Sequence, residues 1–96
     1  MDFEWDNNKN NANYKKHGIR FEEAKLIFNS PVFTVLDPRS DDYGEVRELS
    51  IGTIDIAVVI TFVHTDRDGK TRLISARRAN RQERKIYYDY LEKTLS

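Results

Sequence analysis

The chain has 96 residues, 39% hydrophobic and 33% charged, with sixteen basic residues balanced by sixteen acidic ones and no cysteine. A chain this short buries roughly 60–65% of its unfolded surface around one modest core, so residues 1–96 are expected to form a single domain. The missing thiols exclude a disulfide framework and a thiolate metal site. The two histidines have no ligand spacing, so no metal or other cofactor is expected. The longest apolar stretch, 54–63, falls short of the ~20 residues that span a bilayer. No membrane contact is expected, and without a secretory signal the expected location is cytoplasmic.

Phe3 and Trp5 alternate with Glu4 and Asp6, as in a short strand with one buried face. Trp5 is expected in the core rather than stacked on a ligand. Asp6 can cap a helix running to His17, and Gly18 suits the left-handed position that ends one. Phe21, Ala24, Ile27 and Phe28 lie at helical spacing, with Glu22 and Glu23 in the first turn, and Asn29-Ser30-Pro31 stops this second helix. Residues 32–36 read as a strand and 37–44 as a polar loop. Residues 46–51 read as a third strand, and Gly52-Thr53 as a hairpin turn into a strand over 54–63. On that strand Ile54, Ile56, Val58, Ile60 and Phe62 share a face. Asp68-Gly69 marks a second hairpin, leading to a strand over 71–77. Asn80 and Glu83 have the spacing of a capping box for a last helix. Its apolar stripe is Ile86, Tyr87, Tyr90, Leu91 and Leu95. The order is β-α-α-β-β-β-β-α, an α+β fold: a twisted, mostly antiparallel sheet with two N-terminal helices and one C-terminal helix.

Charge is unevenly spread. Residues 18–66 hold nine acids and four bases, net −5, and residues 67–96 hold four acids and nine bases, net +5. The basic third is dominated by arginine, whose planar fork suits phosphate. Arg77 and Arg81 bracket the start of the last helix, with Arg78 beside them, and exposed N–H groups there favour anions. Simple alternation puts Arg77 and Arg72 on opposite faces. Glu45 and Arg47, two apart, share a face. They read either as a base beside a phosphate clamp or as a salt bridge. His17 reads either as an acid–base group that titrates near neutrality or as a last-turn residue favoured by the helix dipole. Glu83 is expected to cap, and Arg84 to pair with an acid. Lys9, Asn13 and Lys16 recur on one helical face and can meet RNA or solvent; Tyr43, in the polar loop, is a candidate base-stacking residue.

Two runs carry a more specific signal. They are Trp5-Asp6-x-x-Lys9-x-x-x-Asn13-x-x-Lys16-His17-Gly18 and Arg72-x-Ile74-Ser75-Ala76-Arg77-x-Ala79-x-x-x-Glu83-Arg84-x-x-Tyr87. With Gly44-Glu45-x-Arg47 between them, the chain resembles the BrnT toxins over residues 2–90, and the element order is similar to RelE-like ribonuclease toxins. The resemblance implies a type II toxin that arrests growth by cutting RNA. It also implies a BrnA-like ribbon-helix-helix antitoxin partner, through which the complex would reach operator DNA. RNA cleavage needs a base for the 2′-hydroxyl, an acid for the leaving oxygen and cations for the phosphate. Arg77, Arg47, His17 and Glu45 could fill those roles without metal. Arg78, Arg81, Lys9, Lys16 and Tyr43 are the expected RNA contacts. The competing reading is a non-catalytic interaction subunit of a DNA-binding repressor complex, using the same arginines on backbone phosphates.

Overall fold

Asp6 is where the first strand ends and the first helix begins. The computed structural model describes residues 2–55 and 57–95, with only the backbone at Tyr43. In it, β1 (Phe3–Glu4) leads through Asp6 to α1 (Asn7–His17). The Asp6 carboxylate accepts hydrogen bonds from the N–H groups of Asn8 (2.7 Å) and Lys9 (3.2 Å), donors that a first helical turn otherwise leaves bare. Gly18, at φ +72°, closes the helix in the left-handed conformation and donates its N–H to Tyr14 O.

α1 has almost no apolar residue with which to dock. It is held instead by two buried asparagines. Asn10 accepts from Phe21 N–H and donates to Glu22 Oε1. Asn13 donates to the carbonyls of Ile19 and Ala76, both at 2.9 Å, and accepts from Ala76 N–H at 3.0 Å. Asn13, read from the sequence as meeting RNA or solvent, is therefore a structural anchor between α1 and β5.

The second helix is shorter than its spacing implied. α2 (Phe21–Ala24) passes into a 3₁₀ segment, Lys25–Asn29. β2 (Phe33–Leu36) follows, and the expected polar loop contains a one-turn helix, α3 (Ser40–Tyr43). The chain then forms β3 (Glu48–Asp55), β4 (Val58–Arg67), β5 (Lys70–Arg78) and α4 (Arg81–Leu95). The sheet order is β1-β5-β4-β3-β2, with β1 parallel to β5 and the other pairs antiparallel.

The first hairpin is not at Gly52-Thr53. Those residues lie inside β3, opposite Ile60 and Val59, and Asp55 is the last residue paired, opposite Val58. Ile54 therefore precedes the turn, and Ile56, expected on the following strand, lies outside the described residues. Gly52 serves close packing: a Cβ there would sit 2.9 Å from Ile27 Cβ and 3.0 Å from Val32 Cγ1. The second hairpin forms as expected, with Asp68 (φ +53°) and Gly69 (φ +80°) both left-handed, the backbone a two-residue type I′ turn requires.

The sheet separates two apolar layers. On one face Ile60, Phe62, Leu73 and Ala76 pack against Ile19, Phe21, Ala24 and Ile27, with Phe3, Trp5 and Phe28 at the rim; Trp5 sits edge-on to Phe21. On the other face α4 covers Ile51 and Val59 with Tyr87, Tyr90 and Leu91, beside Phe33 and Ala79. Tyr87 is buried and donates its hydroxyl to Pro31 O at 2.8 Å. Ile86 and Leu95, expected in the same stripe, remain exposed. α4 packs on Ile51 and Val59 at one end of its face; on the rest of that face Thr61, Val63 and Thr65 are buried, while Arg72, Ser75 and Arg77 are partly exposed.

Candidate functional site

The part of this face beyond α4 is shaped by a bulge. Across β4 and β5, Val63 faces Ser75 but His64 faces Leu73, so Ile74 is one residue too many. Directly opposed residues of an antiparallel pair point to the same face, and an extra residue reverses the alternation beyond it. Leu73 and Ala76, three apart, are consequently both buried in the same core layer. Arg72 lies opposite Thr65, Ser75 opposite Val63 and Arg77 opposite Thr61. Thr61, Val63 and Thr65 alternate regularly along β4, so Arg72, Ser75 and Arg77 share one face. The expectation that Arg72 and Arg77 diverge was wrong, because alternation was carried through a bulge. Leu73-Ile74, two adjacent apolar residues in a half-buried strand, was the available sign.

Arg77 and Glu83 form the best-defined pair on this face. The Arg77 Nη1 and Nη2 donate to the two Glu83 oxygens at 2.7 and 2.9 Å. Glu83 Oε1 also accepts from Asn80 N–H, while Asn80 Oδ1 accepts from Glu83 N–H, both at 2.8 Å; the capping box is as expected. Burial pushes the Glu83 carboxyl up, but hydrogen bonds from Arg77 and Asn80 outweigh it, so Glu83 titrates below the usual carboxylate range. The same pairing raises the Arg77 pKa. Among the described residues Arg84 pairs with no acid, contrary to expectation: its guanidinium donates to Ala79 O at 2.9 Å.

Along the edge of β5, α1 and Ile74-Ser75 enclose a groove lined by Lys9, Ala12, Asn13, Lys16 and His17. The bidentate hold of Asn13 on Ala76 sets α1 in place there. Burial, then the charges of Lys16 and Arg77, keep the His17 imidazole below its ordinary pKa, so at pH 7 it is uncharged and able to accept a proton. His17, Lys9, Lys16, Ser75 and Arg77 thus form one neighbourhood.

Glu45 and Arg47 lie at the other end of the open face. Arg47 Nε donates to Glu45 Oε1 at 3.0 Å, and Arg67 Nη2 is 4.0 Å from Glu45 Oε2. Arg47 is mostly buried; its N–H donates to Ser40 Oγ and its carbonyl accepts from Asp37 N–H. Thr65 Oγ1, opposite Arg72, donates to the neighbouring Val46 carbonyl. Thr65 and Thr61 are four residues apart, which at ~3.3 Å per residue places the Arg47 end about 13 Å along the sheet from Arg77. The four expected catalytic residues therefore do not meet at one point: Arg77 and His17 are neighbours, and Glu45 and Arg47 form a second cluster, with Arg72, opposite Thr65 and 3.6 Å from Glu4 Oε1, at that same end of the sheet.

Of the expected RNA contacts, Lys9 and Lys16 line the α1 groove and Arg81 is exposed at the start of α4. Arg78 points away: two residues past Ala76, it belongs to the opposite face and lines a cleft with Glu23, Ile54 and Asp55. The Tyr43 side chain lies outside what the structure describes. His64, to which the sequence assigned no role, is buried, with Nε2 2.7 Å from Ser50 Oγ. Among the described residues no group of three or more His, Asp or Glu side chains comes together as a metal site, and no helix is long and apolar enough to cross a membrane.

Comparison with known proteins bears on this arrangement. A family model described as the ribonuclease toxin, BrnT, of type II toxin–antitoxin systems matches residues 5–83. Among solved structures, the ribonuclease toxin BrnT of Brucella abortus is similar, with a TM-score of 0.62 and 23% identity over 84% of this chain and 99% of that one. No curated protein matches in sequence.

Proposed function

This chain belongs to the BrnT family, the ribonuclease toxins of type II toxin–antitoxin systems, and from that premise we propose that it is a single RelE-like domain that cuts RNA without metal on the open face of its sheet. The observation that carries this reading is the bulge at Ile74. It puts Arg72, Ser75 and Arg77, each partly exposed, on one face, beside the groove that holds Lys9, Lys16 and His17.

In this reading an RNA strand lies across β5 and the α1 groove, with backbone phosphates against the lysines and arginines. Arg77 faces the reacting phosphate and stabilises the charge that gathers on it. His17, held neutral, takes the proton of the attacking 2′-hydroxyl as its oxygen bonds to phosphorus; the bond from phosphorus to the 5′-oxygen breaks, and that leaving oxygen takes a proton from water. Arg47 with Glu45, about 13 Å along the sheet by strand spacing, holds the strand rather than the reacting phosphate. A chain with no net charge thus concentrates its bases where a polyanion would lie. The activity arrests growth in the cytoplasm. A ribbon-helix-helix antitoxin silences it and carries the complex to operator DNA. The family itself implies an antitoxin partner and RNA targets.

The test is incubation of the purified chain with total RNA in EDTA, beside Arg77→Ala and His17→Ala variants whose folding is checked by circular dichroism. The expected result is cleavage by the wild type and little by either folded variant. A folded wild type that leaves RNA whole, alone and in a ribosome-containing extract, and that does not slow growth when induced, would return the protein to the role of a repressor-complex subunit.

A further inference from the structure

The Asn80–Glu83 capping box needs only one carboxylate oxygen. Glu83 Oε1 completes it by accepting from Asn80 N–H at 2.8 Å, a role glutamine fills as well as glutamate. The second oxygen, Oε2, is spent on Arg77 Nη2 at 2.9 Å. Glu83 is itself fixed, because its N–H is bound to Asn80 Oδ1 and its side chain is only 15% exposed. A rigid carboxylate therefore grips a long, flexible side chain that is 40% exposed.

The way it grips matters. A guanidinium has two forked edges, one between Nη1 and Nη2 and one between Nε and Nη2. Glu83 occupies the first. Nη1 also leans on Arg78 O at 3.4 Å. The Nε edge has no hydrogen-bond acceptor among the described residues. That is the edge a phosphate would take in a second bidentate contact.

We infer that Glu83 is a positioning residue: by holding the Nη1–Nη2 edge of Arg77 it presents the Nε–Nη2 edge to a substrate phosphate on the open sheet face. This rests on the reading of Arg77 as the residue that faces the reacting phosphate. It also explains why acid, not amide, stands at this position. The pair is nearly neutral, so what Arg77 contributes is direction rather than long-range attraction.

Glu83→Gln tests it. The amide keeps an oxygen for the cap and sets an NH₂ group against Arg77, so the helix start is retained while the fork is broken. Cleavage rates over a range of RNA concentrations, in ribosome-containing extract, are compared for wild type, Glu83→Gln, Arg77→Ala and the double variant, with the thermal midpoint of each. The expected result is a Glu83→Gln midpoint near wild type and a kcat lowered roughly tenfold to a hundredfold, the scale of a misplaced group, with KM changed less. In the Arg77→Ala background the Glu83 change has no further effect. Should Glu83→Gln melt too low to assay, Arg77→Lys, which keeps the charge but has no fork and leaves the cap intact, is expected to show the same fall in kcat. Wild-type rates for Glu83→Gln or Arg77→Lys, beside an inactive Arg77→Ala, would overturn the positioning role alone. An equal loss from Glu83→Gln in both backgrounds would overturn it too, since Glu83 would then act independently of Arg77. Full activity in Arg77→Ala would instead remove the site reading, and this inference with it.

Discussion

Replacing Asn13 with leucine separates a scaffold from a ligand contact. Asn13 makes three hydrogen bonds, two to carbonyls and one from an N–H, and two of the three are to Ala76 in β5. Leucine has nearly the same size and fills the space but leaves the N–H and carbonyl of Ala76 and the carbonyl of Ile19 without partners. Each polar group stranded in a buried site costs ~1–3 kcal/mol. Asn13 also lines the α1 groove, so water can reach part of the site, and the low end applies, about 3 kcal/mol for the three groups. For a domain of this size that lowers the thermal midpoint by roughly 12–24 °C, a large share of a total stability of ~5–15 kcal/mol. Asn13→Asp keeps the acceptor for Ala76 N–H but turns a carboxylate on two carbonyls, and is expected to fall at least as far. The assay is thermal and urea unfolding followed by circular dichroism, with RNA binding measured alongside. An Asn13→Leu protein that melts with the wild type yet fails to bind RNA would refute the scaffold account and make Asn13 a contact.

Two further expectations concern the core. Gly52→Ala places a Cβ 2.9 Å from Ile27 Cβ, and overpacking of that kind costs ~1–3 kcal/mol; an unchanged or raised unfolding midpoint would show that the 3₁₀ segment yields freely. His64 should give the protein an acid-sensitive limb. Burial lowers its pKa, only partly offset by Glu48 and Asp66, so the folded state disfavours the imidazolium. Stability is then full above the unfolded value of ~6.5 and declines as pH falls below it towards the lower folded pKa. The limb contributed by Glu22 and Glu83, both of which titrate below the usual carboxylate range, comes at lower pH. Urea midpoints from about pH 7.5 to 5, the window around the ordinary histidine value, should fall more steeply for the wild type than for His64→Phe, which keeps a ring against Phe28 and retains only the limb of His17, whose pKa is lowered too; equal slopes would dismiss the effect.

Much of this protein was legible before it was folded. Asp6, Gly18, the Asn80–Glu83 box and the Asp68-Gly69 turn were readable because each acts on backbone groups two to four residues away. The core strands and the buried face of α4 around Tyr87 were readable because burial imposes a period. The arginines could be counted, but their directions could not. A bulge at Ile74 arises from the register of β5 against β4, and that register turned Arg72 towards Arg77 and left Arg78 behind. Gly52 looked like a turn because nothing local announces a side chain arriving from Ile27. α1 offered no apolar face to read, since Asn10 and Asn13 dock it through groups that only the folded chain brings within reach. Short-range geometry is written in neighbouring residues; which side chains share an open face is decided by pairing between strands far apart in sequence.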